Sequence, residues 1–217
     1  MEKLSIEGQF SLHPTSAISD ALDEKGINGS LHGVFEQRYG QGRVVGRAMP
    51  VKFAKKSSDP NAWRFGGGVG KPLEEVLKTM SKGQIVVMDL DGSKTASAWG
   101  GLASKLAIQK GVCGTVMWGT CRDVDEIREC GYPVWSTGVC PRRSRNEFTF
   151  GSINKKIKIG EVEIAPNDII VADSSGVVCV PKKLISDILE NLEKIAYQET
   201  ILEDQVLRGT IQNWDEL

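Results

Sequence analysis

The chain has 217 residues, 40% of them hydrophobic, and no linker-like stretch divides it, so one domain over residues 1–217 with one sizeable core is expected. Twenty-seven basic against 28 acidic residues leave a formal charge of −1, which gives no electrostatic footprint for nucleic acid or an anionic membrane. No apolar run reaches the roughly 20 residues of a membrane span, and M-E-K-L-S-I-E-G lacks the apolar stretch of a signal peptide; a cytoplasmic protein is the expectation.

The N-terminal part reads as one helix followed by irregular chain. Thr15 or Ser16 is placed to cap a helix that runs to about Lys25 and closes at Gly26, with Ala17, Ile18, Ala21 and Leu22 on its apolar face. Gly26 to Gly46 reads as loop or irregular strand. Val44 to Phe53 then reads as a strand, and Pro50 within it predicts an edge or a bulge. Gly40 to Gly46 misses the G-x-G-x-x-G spacing by one residue and precedes a strand, so it is no dinucleotide fingerprint. Ser57 to Gly70 is a polar, glycine-rich loop. Its R-F-G-G-G-V-G-K-P is not a P-loop, because Phe65 stands where the first glycine belongs and Pro72 where a hydroxyl belongs. Pro72 suits the first turn of a helix through about Met80, with Leu73, Val76, Leu77 and Met80 on one face.

Ile85 to Met88 reads as a buried strand ending at Asp89 and Asp91. The stretch from Trp99 to Asp123 is the centre of the chain. Gly100 and Gly101 open a helix over about Leu102 to Lys110, whose free N–H groups and positive dipole end attract anions. Thr115 to Trp118 is a core strand that ends on Arg122 and Asp123, a cation beside a carboxylate. Ligands in α/β sheets bind at that end of a strand. Together these groups suit a small anionic substrate held with a divalent metal.

Each of these residues also has a purely structural reading. Asp123 to Glu126 has the Asp-x-x-Glu spacing of a capping box at the start of the helix V-D-E-I-R-E-C, which Gly131 ends. Arg122 reads equally as a surface arginine, and Gly100-Gly101 as a simple turn. Asp89, Asp91 and Lys94 are either a solvated turn or further lining of the same cleft. Arg142, Arg143 and Arg145 are either a solvated loop or a grip for a second substrate carboxylate.

From Pro133-Val134-Trp135 a further strand opens. Lys155 to Val180 alternates short strands and turns, as hairpins or a small barrel-like layer would, with Asp173-Ser174-Ser175-Gly176 as one turn. The last helix, about Leu184 to Arg208, carries Ile185, Ile188, Leu189, Leu192, Ile195, Leu202 and Val206 on one stripe. Its roughly 36 Å exceeds what one small domain needs to cover, which points to a neighbouring subunit. Five cysteines without a C-x-x-C pair and two distant histidines argue for reduced thiols and against zinc or a Ser-His-Asp triad.

T-S-A-I-S-D-A-L (15–22), V-V-G-R-A-M-P-V (44–51), W-G-G-L-A-S (99–104), G-V-C-G-T-V-M-W-G-T-C-R-D (111–123), G-Y-P-V-W (131–135) and P-N-D-I-I-V-A-D-S-S-G-V-V-C-V-P (166–181) together resemble one family. It holds the regulator of ribonuclease activity A and the class II 4-hydroxy-4-methyl-2-oxoglutarate/4-carboxy-4-hydroxy-2-oxoadipate aldolases. The resemblance implies an α/β fold of three β/β/α layers, swivelling-domain-like, with a long C-terminal helix, assembled as a homotrimer or a hexamer with active sites between subunits. It implies catalysis by Arg122 and Asp123, with Mg²⁺ or Mn²⁺ at Asp123, partly through waters, and Arg122 on the pyruvyl group of a 2-oxo acid. The amides near Gly101, Leu102 and Ala103, after Gly100, would receive the substrate carboxylate.

The implied activity is C–C lyase chemistry: retro-aldol cleavage of a 4-hydroxy-2-oxo acid or oxaloacetate decarboxylation. The alternative is a non-catalytic, protein-binding regulator of a ribonuclease. Two departures bear on that choice. The aldolases tend to carry Asp where this chain has Gly101, whereas the regulators commonly lack the aspartate kept here as Asp123.

Overall fold

In the computed structural model, residues 4–36, 42–55, 71–144, 147–211 and 213 are described. Short apolar runs, separated by helices, build the centre of the sheet. Strands β2 (Val44–Lys55), β3 (Gln84–Trp99), β4 (Gly114–Cys121) and β5 (Val134–Val139) lie parallel. Helices α3 (Lys71–Thr79), α4 (Gly101–Gln109) and α5 (Val124–Cys130) connect them. A two-residue strand β1 (Phe35–Glu36) pairs antiparallel with β5, and β6 (Phe148–Ile153) pairs antiparallel with the end of β2. The hairpin β9 (Ile169–Asp173) and β10 (Gly176–Val180) completes the sheet beyond β2, in the order β1-β5-β4-β3-β2-β9-β10.

Alternation along the strands sorts the core into two faces. Val86, Met88 and Leu90 of β3, with Met117 of β4, face Val76, Ala103, Ala107 and Ile127 of α3, α4 and α5. Ile85, Val87 and Val116 face the opposite way, toward the small hairpin β7 (Ile157–Ile159) and β8 (Val162–Ile164), whose Ile157, Ile159, Val162 and Ile164 are buried there. The result is three layers, β/β/α, in a mixed α/β domain. Over β9 and β10 the helical layer continues as α1 (Ile6–Phe10), α2 (Thr15–Asp23) and α6 (Ile185–Leu207).

Several local expectations are corrected. The residue at the cap position of α2 is Pro14, not Thr15 or Ser16, and its cap comes from far along the chain. Asp173 accepts the Thr15 N–H at 3.0 Å and the Thr15 hydroxyl at 2.6 Å, so the β9–β10 turn anchors the helix start. Strand β2 is central rather than an edge. Arg47 N–H points to β3 and Ala48 N–H to the β9 side, so the missing proton of Pro50 falls where β9 has left and β6 pairing, which begins at Val51, has not started. A bulge follows at Lys52/Phe53. Strand β3 does not stop at Asp89; it passes through a register shift between Asp89 and Ser93 and runs on to Trp99.

The long helix is shorter than read by one residue at each end, and only its first half is covered. Ile185, Ile188 and Leu192 are buried, whereas Tyr197 and Leu207 are 70% and 79% exposed. The five thiols are free. Among the described residues no helix is long and apolar enough to cross a membrane. The glycine-rich 57–70 segment, Gly40 and Arg145 lie outside the described residues.

Candidate functional site

Strands β3 and β4 run side by side in the same direction and finish in register, Trp99 beside Cys121. Gly100 therefore emerges next to Arg122, whose N–H donates to the Trp99 carbonyl at 3.0 Å. The two segments singled out in the sequence are thus brought to one place, the carboxyl ends of adjacent parallel strands. Gly100 is extended and precedes the first turn of α4, and having no side chain it caps none of that helix's N–H groups itself. The N–H groups of Gly101, Leu102 and Ala103 have no partner within the helix.

The reason for two glycines here is space. A Cβ at Gly100 would fall on the Asp123 carboxylate and stand 3.2 Å from Arg122 Cγ. A Cβ at Gly101 would fall on the Glu126 carboxylate and stand 2.9 Å from Glu126 Cβ. Two acids, from the turn after β4 and the first turn of α5, fill the places that side chains at 100 and 101 would take. Gly101 N–H donates to Asp123 Oδ2 at 3.3 Å, and Arg122 Nε lies 3.6 Å from the same oxygen. Arg122 and Asp123 side chains keep 27% and 31% of their surface in solvent, so both are reachable by a ligand.

Asp123 does not cap α5. An aspartate cap needs extended backbone to swing its carboxylate over the first N–H groups of its own helix. Asp123 instead has φ 54 and ψ 44, the left-handed region, and makes no side-chain cap bond. Its carboxylate is turned across the strand ends toward α4. Aspartate and asparagine visit that conformation at little cost, whereas most other non-glycine residues pay about 1 kcal/mol or more.

Among the described residues no group of three His, Cys, Asp or Glu side chains forms a metal cage. Asp123 and Glu126 offer oxygen donors, the kind a hard divalent ion that keeps most of its waters would take. Glu126 carries no site role on the sequence reading, where it stands only as the last member of a capping box. The signal available was an acid three residues after Asp123 combined with a helix that opens on two glycines.

The remaining candidates among the described residues are either paired elsewhere or exposed. Asp89, almost fully buried, pairs with Lys52 at 2.6 Å and accepts the Asp91 N–H at 2.7 Å, so it is neither a solvated turn nor free to bind a ligand. Asp91 pairs with Lys55 at 3.5 Å, and Lys94 is exposed. Arg142 pairs with Glu147 at 2.5 Å, and Arg143 is exposed.

The Aldolase/RraA sequence profile matches residues 15–179. The protein DlpA of Legionella pneumophila is 26% identical over 90% of this chain, which spans 31% of DlpA. The 4-hydroxy-4-methyl-2-oxoglutarate aldolase of Thermus thermophilus is 30% identical over 63% of this chain and 86% of its own length. The crystal structure of Streptomyces coelicolor RraAS2, described as an unusual member of the RNase ES inhibitor RraA protein family, superposes with a TM-score of 0.81 at 25% identity, covering 94% of this chain and 98% of that one.

Proposed function

Because this chain belongs to the Aldolase/RraA family, we propose that it is a divalent-metal-dependent lyase that cleaves a C–C bond of a 2-oxo acid. One observation carries the reading: Arg122 and two carboxylates, Asp123 and Glu126, converge on a helix start kept open by Gly100 and Gly101. Asp123 is then the principal metal ligand and Glu126 the second. The aldolases' aspartate is absent at Gly101, and the Glu126 carboxylate fills the space that its side chain would need.

The N–H groups of Gly101, Leu102 and Ala103 receive the substrate carboxylate, aided by the positive end of α4. Arg122 contacts the pyruvyl oxygen and stabilises the negative charge that gathers there as the bond parts. When bound, Mg²⁺ or Mn²⁺ supplies Lewis-acid stabilisation of that same charge. Retro-aldol cleavage of a 4-hydroxy-2-oxo acid and decarboxylation of oxaloacetate share the pyruvate enolate, so both belong to the proposed repertoire. The partner is a small molecule rather than nucleic acid or membrane, and the uncovered half of α6 supports assembly as a homotrimer or hexamer.

The test is pyruvate release from oxaloacetate and from 4-hydroxy-4-methyl-2-oxoglutarate, with Mg²⁺, with Mn²⁺ and with EDTA. Turnover that EDTA abolishes is expected. The likeness to the RraAS2 structure favours a second reading, a non-catalytic protein-binding regulator; no turnover with a broad panel of 2-oxo acids would favour it.

A further inference from the structure

Trp99 is bonded to both halves of the site while its own side chain is buried. Its carbonyl accepts the Arg122 N–H at 3.0 Å, which fixes the turn that delivers Arg122 and Asp123. Its indole N–H donates to Ser104 Oγ at 2.9 Å. Ser104 has one hydroxyl proton, and it goes to the Gly100 carbonyl at 3.1 Å; the Ser104 N–H reaches that carbonyl at 3.1 Å as well. Trp99 and Ser104 are 1% and 0% exposed, so no water competes for these bonds. The indole is itself held by Tyr132, stacked at 6.0 Å between ring centres, and Tyr132 is tied through its hydroxyl to Thr115 at 3.0 Å.

We propose that Trp99 and Ser104 are positioning residues that orient the first turn of α4, so that the Leu102 and Ala103 N–H groups, with the Gly101 N–H that here donates to Asp123 Oδ2, face the bound carboxylate. Gly100 has no side chain to set its own orientation, so the peptide plane that begins α4 is fixed through its carbonyl. The serine hydroxyl is the only side-chain group bonded to that carbonyl among the described residues. The indole directs the hydroxyl, because an oxygen accepting from Trp99 Nε1 turns its proton to the remaining acceptor. The proposal rests on the 2-oxo-acid reading of the site for its ligand, but the orientation it describes exists without one.

The experiment compares the full chain with Ser104→Ala and Trp99→Phe. Amide hydrogen exchange is read at residues 101, 104 and along β4, pyruvate binding from the amide shifts of residues 101–103 with Mg²⁺, and Mn²⁺ binding by electron paramagnetic resonance. Ser104→Ala loses both bonds of the hydroxyl, the one to the Gly100 carbonyl and the one from the Trp99 indole. It should raise exchange at 104 and the pyruvate Kd about tenfold, with exchange in β4 and the Mn²⁺ Kd within about twofold. Trp99→Phe keeps the stack on Tyr132 and the serine hydroxyl, so it should fold and move the same readings less. Exchange that is unchanged at 104, or that rises equally across β4, overturns the proposal, as does an unchanged pyruvate Kd. If the parent chain binds neither pyruvate nor Mn²⁺, the functional reading fails, and the local exchange alone then decides the positioning role.

Discussion

Replacing Asp123 by Asn, Gly and Ala separates the metal-ligand role from structural ones. Among the described residues the carboxylate is held by a 3.3 Å bond from Gly101 and a 3.6 Å approach of Arg122, both partly in solvent, so these contribute about 0.5 kcal/mol together. The left-handed backbone contributes more. Asn tolerates it and keeps the side-chain shape, Gly adopts it freely, and Ala pays about 1 kcal/mol relative to Gly. Urea denaturation should therefore give Asp, Asn and Gly within about 0.5 kcal/mol of one another, with Ala about 1 kcal/mol lower. Metal affinity follows a different order. A unit negative charge about 4 Å from a doubly charged ion in water interacts by about 2 kcal/mol, or roughly thirtyfold in Kd. Mn²⁺ titration should show that loss in all three variants, Asn included, and metal-dependent turnover should disappear in each. An Asn variant with the parent's Mn²⁺ affinity and turnover would refute the reasoning, since charge would then be irrelevant at this position.

Gly101→Ala should push Glu126 outward, because the new methyl overlaps its carboxylate. The methyl also stands 2.9 Å from Glu126 Cβ, so the start of α5 must shift too; stability should fall by about 1–3 kcal/mol while the Mn²⁺ Kd rises about tenfold in calorimetric titration. Lys52→Met leaves the buried Asp89 without its cation and should lower stability by about 2 kcal/mol in urea, and a Lys52→Met/Asp89→Leu double variant should recover part of it. At Asp173, burial pushes the carboxyl up, but bonds from Thr15 and Ser175 and the nearby Arg43 outweigh it and hold the group below its ordinary 3.8. A depressed carboxyl stabilises the fold above its unfolded pKa and loses that contribution as pH falls through the folded value. The stability gap between the parent and Asp173→Asn should therefore be full above about pH 4 and close below it, as read by urea denaturation across pH.

Hydrophobic periodicity alone gave the β/α alternation from β2 to β5, the apolar faces of α2 and α3, and the hairpins after Lys155, because each depends on residues a few positions apart. The same local reading identified the glycine-opened helix and the Arg122–Asp123 turn as one βα unit. It could not show that Asp173 caps α2, since donor and acceptor are 158 residues apart and meet only when the hairpin packs beside β2. Nor could it show that β3 continues beyond Asp89, a position that reads as a polar strand end until Lys52 of the neighbouring strand neutralises it. The choice between cap and ligand at Asp123 was open for the same reason. Spacing fixes which groups are near along the chain, whereas the left-handed φ at Asp123 and the crowding of Glu126 against Gly101 arise from how two helices dock on adjacent strand ends. The Gly100–Gly101 and Arg122–Asp123 segments were thus legible in the sequence, whereas the approach of Glu126 and the direction in which the carboxylates face were decided by tertiary packing.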